Sequence, residues 1–260
     1  MRTLTELDTV GVVGAGTMGS GIAQVAATAG YDVIVRDIEE PPETIQGRIA
    51  GTTDLSELAE ADLVVEAAVE DMEIKRDIFA DLDETVDEDV VLATNTSTLS
   101  ITTIAAATDR PEQVVGLHFM NPVPIMDGVE VVTGEQTAAE TTAFAHAFAA
   151  ELDKETWESD DKPGFVTNRV LMPWINEGIR AYDEGVATKE DLDKGMKLGT
   201  NVPMGPLELA DHIGLDICLH ASETLHEELG DRYKPAYLLK RKVEAGKLGK
   251  KSGEGFYEYD

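Results

Sequence analysis

Over the first 160 or so positions, apolar residues fall in short β-branched runs separated by longer stretches of helical period. Val10, Val12 and Val13 make the first run, and Val33, Ile34 and Val35 the second. Runs this short and this branched suit strands buried on both faces, as in a parallel sheet. The same pattern predicts strands over 62–68, 90–93, 114–119 and 129–132, and an edge strand over 155–158. Between them, 70–82 and the alanine-rich 138–152 read as helices, and 55–59 as a short one. Asn95 to Thr98 forms a polar turn. Asn121-Pro-Val-Pro124 must leave regular structure, because neither proline can donate to a ladder. The stretch 38–53, holding Pro41, Pro42, Gly47 and Gly51, reads as a loop or one broken helix.

From Phe165 the period becomes helical throughout, over 166–184, 189–198, 207–224 and 236–245, with Asp160 to Gly164 as the linker. The expected class is α/β: a Rossmann-type, mostly parallel sheet over 1–162, followed by an all-α domain over 163–260. A helical domain of about 100 residues buries its own core thinly. Its Leu, Met and Ile residues and Trp174 are therefore expected to build a homodimer, with a monomer as the alternative.

The first strand leads straight into the most informative turn. Gly14, Gly16 and Gly19 have the G-x-G-x-x-G spacing. Gly14 allows the tight turn, Gly16 lets backbone approach a pyrophosphate, and Gly19 lets the next helix pack on the strand. That helix aims its free N–H groups and positive dipole end at the pyrophosphate, and Gly30 ends it. Asp37 follows the second strand, 18 residues after Gly19. There it can accept hydrogen bonds from an adenosine ribose diol and repel a 2′-phosphate, which favours NAD over NADP, with Arg36 as the one contrary charge.

Charge restricts the partners. Against 21 basic residues the 260-residue chain has 51 acidic ones, a formal net charge of −30, yet its hydrophobic fraction of 42% is that of a globular protein. The acid belongs on the surface, where it repels nucleic acid and anionic membranes. It also repels itself wherever salt does not screen it, and screening at 0.1 M reaches only about 10 Å. The composition predicts adaptation to a high-salt cytoplasm. Circular dichroism should show greater thermal stability in molar KCl than in dilute buffer, and equal stability would refute the expectation. The single cysteine, Cys218, leaves no internal disulfide and fits a reducing compartment. No charged-then-apolar leader follows Met1, and no apolar run approaches the ~20 residues of a membrane span, so a cytoplasmic location is expected.

Ligands of an open α/β sheet bind beyond the carboxyl ends of its strands. Four polar residues are expected near that rim or just past the linker: Ser97, His118, Glu130 and Asn168. A histidine there, beside a cofactor that removes hydride, is suited to take a hydroxyl proton near neutral pH. Glu130 is placed to orient its second nitrogen. Either residue alone also fits a purely structural role. The remaining histidines, His146, His212, His220 and His226, show no metal-ligand spacing; Cys218 with His220 and His226 is the one grouping to inspect, and no metal is expected. Trp157 and Trp174 read as core or interface residues.

The motifs GAGTMGSGIAQ, VVEAAVED, NTSTLSI, GLHFMNPVPIM, VEVV, KPGFVTNRV, GMKLG, PMGPLEL, GLD and GKKSGEGFY occur in this order. The chain thereby resembles the 3-hydroxyacyl-CoA dehydrogenases almost from end to end. The resemblance implies NAD-dependent oxidation of a short-chain L-3-hydroxyacyl-CoA, and the reverse. It implies that His118 is the general base, that Glu130 orients it, and that Ser97 and Asn168 hold the substrate's oxygens. It also implies NAD contacts from Gly14, Ala15, Gly16, Thr17, Met18, Gly19, Asp37, Glu70, Lys75, Ser97, Asn121 and Lys251. Two departures stand out. The family's basic helical hairpin, whose lysines and serine contact CoA, does not fit into 38–53, where Arg48 is the only basic residue. Met120, Asp127 and Gly128 replace the family's usual phenylalanine, lysine and leucine. Loss of the hairpin admits a second reading, a dehydrogenase of a free hydroxy acid or sugar acid. A third, a non-catalytic NAD-binding protein, is opposed by the intact set of four polar residues.

Overall fold

The computed structural model describes residues 1–39 and 47–259 and divides the chain into two compact units, Met1–Phe165 and Val166–Asp260. Pro41 and Pro42, part of the expected loop, lie outside the described residues.

The first unit runs β1 (Thr9–Val13), α1 (Thr17–Ala29), β2 (Asp32–Arg36), β3 (Ile49–Thr52), β4 (Leu63–Glu66), α2 (Met72–Thr85), β5 (Val91–Thr94), α3 (Ile101–Ala105), β6 (Val114–Phe119), β7 (Gly128–Thr133), α4 (Ala139–Glu151) and β8 (Glu155–Asp160). Its one sheet has the order β3-β2-β1-β4-β5-β6-β7-β8. The strands from β3 to β6 are parallel, and the order reverses between β1 and β4, the switch point at which such sheets bind ligands. Successive side chains feed two cores, one on each face. Leu63 and Val65 join Ile22, Ala26 and Phe148, while Val64 joins Phe79, Leu92 and Ile104. This two-sided burial is why the strands read as apolar runs rather than alternations.

One expectation is corrected here. Part of 38–53 is a strand, β3, paired in parallel with β2 at the sheet edge. Its sequence Ile-Ala-Gly-Thr is too short and too weakly β-forming to announce itself. The sheet also turns back on itself, because β7 is antiparallel to β6. The connection 120–127 is shorter than the dozen or so residues that a parallel crossover needs. β8 then pairs in parallel with β7.

The second unit holds α5 (Thr167–Asp183), α6 (Lys189–Thr200), α7 (Pro206–Ile213), α8 (Leu215–Leu229) and α9 (Tyr237–Glu244). The single helix expected over 207–224 is two, broken at Gly214, whose φ of +107° no helix accommodates. The core includes Met172, Ile175, Ile179, Leu207, Leu225 and Leu239. Two buried carboxylates cross-link this core through the hydrogen bonds they accept. Asp193 caps α7 by accepting from the N–H groups of Leu207 and Glu208, and it also takes the Tyr257 hydroxyl. Asp211 accepts from the N–H groups of Phe256 and Tyr257 and from the Tyr259 hydroxyl, tying down the chain's last turn.

The first unit carries 34 of the 51 acidic residues but only 8 of the 21 basic ones, so the expected self-repulsion is concentrated there. Among the described residues no helix is long and apolar enough to cross a membrane.

Candidate active site

The glycine turn is built as its spacing requires. Gly14 sits at φ +100°, and a Cβ on it would lie 2.6 Å from the Ala67 carbonyl oxygen. A Cβ on Gly19 would overlap the carbonyl oxygen of Gly14, so only glycine lets α1 start this close to β1. Around Gly16 the space is open, with nothing within 4 Å of where a Cβ would be. The N-terminus of α1 has no side-chain cap and no acid in its first turn, despite the acidity of the chain. Open backbone at an uncapped positive helix end fits a pyrophosphate. Gly19→Ala is therefore expected to cost at least ~3 kcal/mol of stability, read from urea unfolding, and to abolish NADH binding.

Asp37 lies just past β2, and its carboxylate accepts from the N–H groups of Ala15 and Ile38. Partial burial works to raise its pKa, but the Ala15 and Ile38 hydrogen bonds and the Arg36 charge outweigh it and hold the group below the usual carboxylate value. Asp37 is thus an anion fixed against the glycine turn, as a ribose diol requires and a 2′-phosphate does not tolerate.

The strand reversal assembles the central pair. In the β6–β7 ladder His118 and Glu130 are direct cross-strand partners. Nδ1 of His118 lies 3.0 Å from Oε2 of Glu130, with the histidine 8% exposed and the glutamate fully buried. The Phe165 ring meets the imidazole edge-on, with centroids 6.1 Å apart. A buried carboxylate on one ring nitrogen selects the tautomer with the proton on Nδ1 and leaves Nε2 as the base.

Ser97 follows β5 in a turn organised by Glu70. Oε1 of Glu70 accepts from the Thr96 hydroxyl and from the N–H groups of Ser97 and Thr98, at 2.7, 2.9 and 3.1 Å. Burial works to raise the pKa of Glu70, but Lys75 and these donors reverse the effect and keep it below the usual value. Asn95, in the same turn, accepts from the Phe119 N–H through Oδ1 at 2.9 Å and so fastens the Ser97 turn to the strand bearing His118. Lys75 is 1% exposed and bonded to Glu66.

Asn121 is exposed in the loop after β6. That loop is fixed from two sides. Lys154 donates to the carbonyls of Val123 and Met126, and Val123 packs on Gly21 of α1, where a Cβ would come within 2.8 Å of it. The departure at Gly128 has a packing reason: the Trp157 ring occupies the space a side chain there would need. Arg48 pairs with Asp32 at 3.0 Å, both half-exposed or more.

Asn168 and Lys251 belong to the second unit. Asn168 is in the first turn of α5. Lys251 lies 2.6 Å from Asp216 and packs on Gly214. Cys218 is fully buried and its thiol is pushed up to about 12, chiefly by burial, so it is not a nucleophile. Among the described residues no three His, Cys, Asp or Glu side chains are grouped to hold a metal.

Sequence reasoning missed Asn95, Glu66 and Lys154. The first two stand inside quoted motifs, but nothing in their spacing says what they bond. Lys154 acts on a loop some 30 positions away.

Comparison with known proteins agrees with this geometry. The family model described as "3-hydroxyacyl-CoA dehydrogenase, NAD binding domain" matches residues 9–42 and 39–161, and the one described as "3-hydroxyacyl-CoA dehydrogenase, C-terminal domain" matches 164–259. The two N-terminal matches overlap at residues 39–42. A probable 3-hydroxybutyryl-CoA dehydrogenase of Deinococcus radiodurans is 50% identical over 96% of this chain and 99% of its own length. Among solved structures, FadB2 of M. tuberculosis superposes with a TM-score of 0.93 at 42% identity, covering 98% of this chain and 99% of that one. The (S)-3-hydroxybutyryl-CoA dehydrogenase PaaH1 of Ralstonia eutropha does so at 0.91 and 42%, covering 98% and 100%. Matched by both family models from residue 9 to residue 259, the chain belongs to the 3-hydroxyacyl-CoA dehydrogenase family.

Proposed function

We propose that the protein is an NAD-dependent dehydrogenase that oxidises short-chain L-3-hydroxyacyl-CoA, 3-hydroxybutyryl-CoA foremost, to the 3-ketoacyl-CoA and runs the reverse reaction, in fatty acid or butanoate metabolism. The observation that carries the reading is the buried His118–Glu130 pair at the carboxyl rim of the sheet, in the same unit as an open glycine turn and an ionised Asp37.

NAD, when bound, supplies the hydride acceptor. We assign its contacts to Gly14 to Gly19, Asp37, Glu70, Lys75, Ser97 and Asn121, and to Lys251 of the helical unit. His118 takes the 3-hydroxyl proton on Nε2 as the carbinol hydrogen leaves as hydride. Glu130 holds Nδ1–H and stabilises the imidazolium that forms; in the reverse direction His118 returns the proton. Ser97 and Asn168 hold the 3-oxygen and the thioester carbonyl. Residues 1–162 serve as the NAD-binding domain and 163–260 as the substrate and dimerisation domain. A cytoplasmic homodimer fits the thin helical core and the exposed Val170, Val186, Leu198 and Tyr237 of that domain.

The short connection between β2 and β3 favours one other reading, a free hydroxy acid as substrate. NADH oxidation by acetoacetyl-CoA beside free acetoacetate, in high KCl, separates the two. Turnover of the thioester alone is expected; turnover of the free acid alone would overturn the acyl-CoA assignment.

A further inference from the structure

The segment that ends the first unit, 161–165, is fastened to that unit at both ends. Asp161 follows β8 and accepts, through Oδ2, from the Ser100 hydroxyl and the Thr102 N–H, both at 2.8 Å. Its own N–H donates to the Thr133 carbonyl at 2.9 Å. At the other end Phe165 is 3% exposed and belongs to the core that contains Ile101, Ile104 and Val132.

Phe165 holds a backbone conformation that its residue type disfavours. Following Gly164 at φ +76°, it sits at φ +50°, in the left-handed region where a bulky side chain is strained. Such strain persists only where the surroundings over-determine it, and it collects at functional sites. Here the Asp161 bonds fix one end, and the Phe165 N–H donates back to the Lys162 carbonyl at 2.8 Å. A side chain wanted only to fill a core can be supplied without strain by a neighbouring helix or strand. What the strained position adds is an aromatic contact with His118, edge-on at a centroid distance of 6.1 Å.

The imidazole has a use for that contact. Its bond to Glu130 fixes one nitrogen but leaves the ring able to pivot about the bond, and a pivot moves Nε2. The sheet face beside it is already filled: a Cβ on Gly116, two positions earlier in β6, would come within 2.7 Å of Val132 and 2.9 Å of Ile101. Phe165 adds an aromatic wall to this packed face. Exclusion of water by such a wall also strengthens the His118–Glu130 interaction, because the local dielectric is lower.

We propose that Phe165 is a positioning residue for His118: its ring fixes the plane of the imidazole, while Asp161 holds the strained segment that presents the ring. The inference rests on the reading of His118 as the base. Glu130 sets which nitrogen carries the proton, and Phe165 sets where the other nitrogen points.

The test is reduction of acetoacetyl-CoA by the full chain carrying Phe165→Leu, which keeps an apolar side chain and loses the ring. Turnover is expected to fall about ten- to a hundredfold, the scale on which small misplacements of a reacting group act. The Michaelis constant for the thioester and the calorimetric Kd of NADH should stay close to their wild-type values, a split that loss of core filling alone would not produce. Asp161→Ala, which removes the anchor and leaves the ring, is expected to lower turnover in the same way by a smaller factor. It also provides the answer if the Phe165 variant does not fold. Wild-type turnover in either folded variant, or a loss that falls on the Michaelis constant or on NADH binding instead of turnover, would overturn the proposal. Failure of the wild-type chain to reduce acetoacetyl-CoA would instead sink the dehydrogenase reading on which it stands.

Discussion

Replacing His118 with alanine is expected to lower turnover of acetoacetyl-CoA by about 10²- to 10⁴-fold, the usual contribution of a positioned proton donor or acceptor. The affinity for NADH should change little, because the glycine turn and Asp37 are held by backbone hydrogen bonds in which the imidazole takes no part. Steady-state kinetics with calorimetric NADH binding check both halves. A variant that turned over at the wild-type rate would remove His118 from the chemistry. One that lost NADH binding as well would show that the substitution had disturbed the unit instead.

Glu130→Gln is expected to be nearly as damaging, by about 10²- to 10⁴-fold in turnover, although the glutamate acts only through its neighbour. Its carboxylate accepts and cannot donate, so the imidazole proton stays on Nδ1 and Nε2 is left with its lone pair. An amide can donate to Nδ1, which moves the proton to Nε2 and removes the base; a wrong tautomer of this kind costs about 10⁴-fold in the serine protease triad. The Michaelis constant for the thioester should change far less than turnover. A loss confined to the Michaelis constant would mean that Glu130 serves binding rather than the histidine.

Much of this site could be read before the fold was seen, for physical reasons that differ by residue. The glycine turn is legible because each glycine answers a local backbone demand, and Asp37 because it stands at a fixed distance along one β-α-β unit. The link between His118 and Glu130 is different. Twelve positions separate them, and their contact depends on the register of an antiparallel pair that follows a run of parallel ones. Nothing in the local period of either strand announces that reversal; only the shortness of 120–127 does. β3 stayed hidden because an edge strand of four residues has no apolar face to alternate. The break at Gly214 was obscured because Leu207 to Thr224 keeps its helical period across it. The buried bond between Lys75 and Glu66 was likewise hidden, because no spacing rule identifies the partner of either residue.

The two variants also test the core of the account when combined. If Glu130 works by orienting His118 and in no other way, removing it from a chain that has already lost the histidine should cost nothing further. The measurement is the turnover of acetoacetyl-CoA by the wild type, His118→Ala, Glu130→Gln and the double variant in one buffer at high KCl. The account predicts a double variant no slower than His118→Ala alone. Losses that multiplied would contradict it, because the two residues would then be acting on the substrate independently.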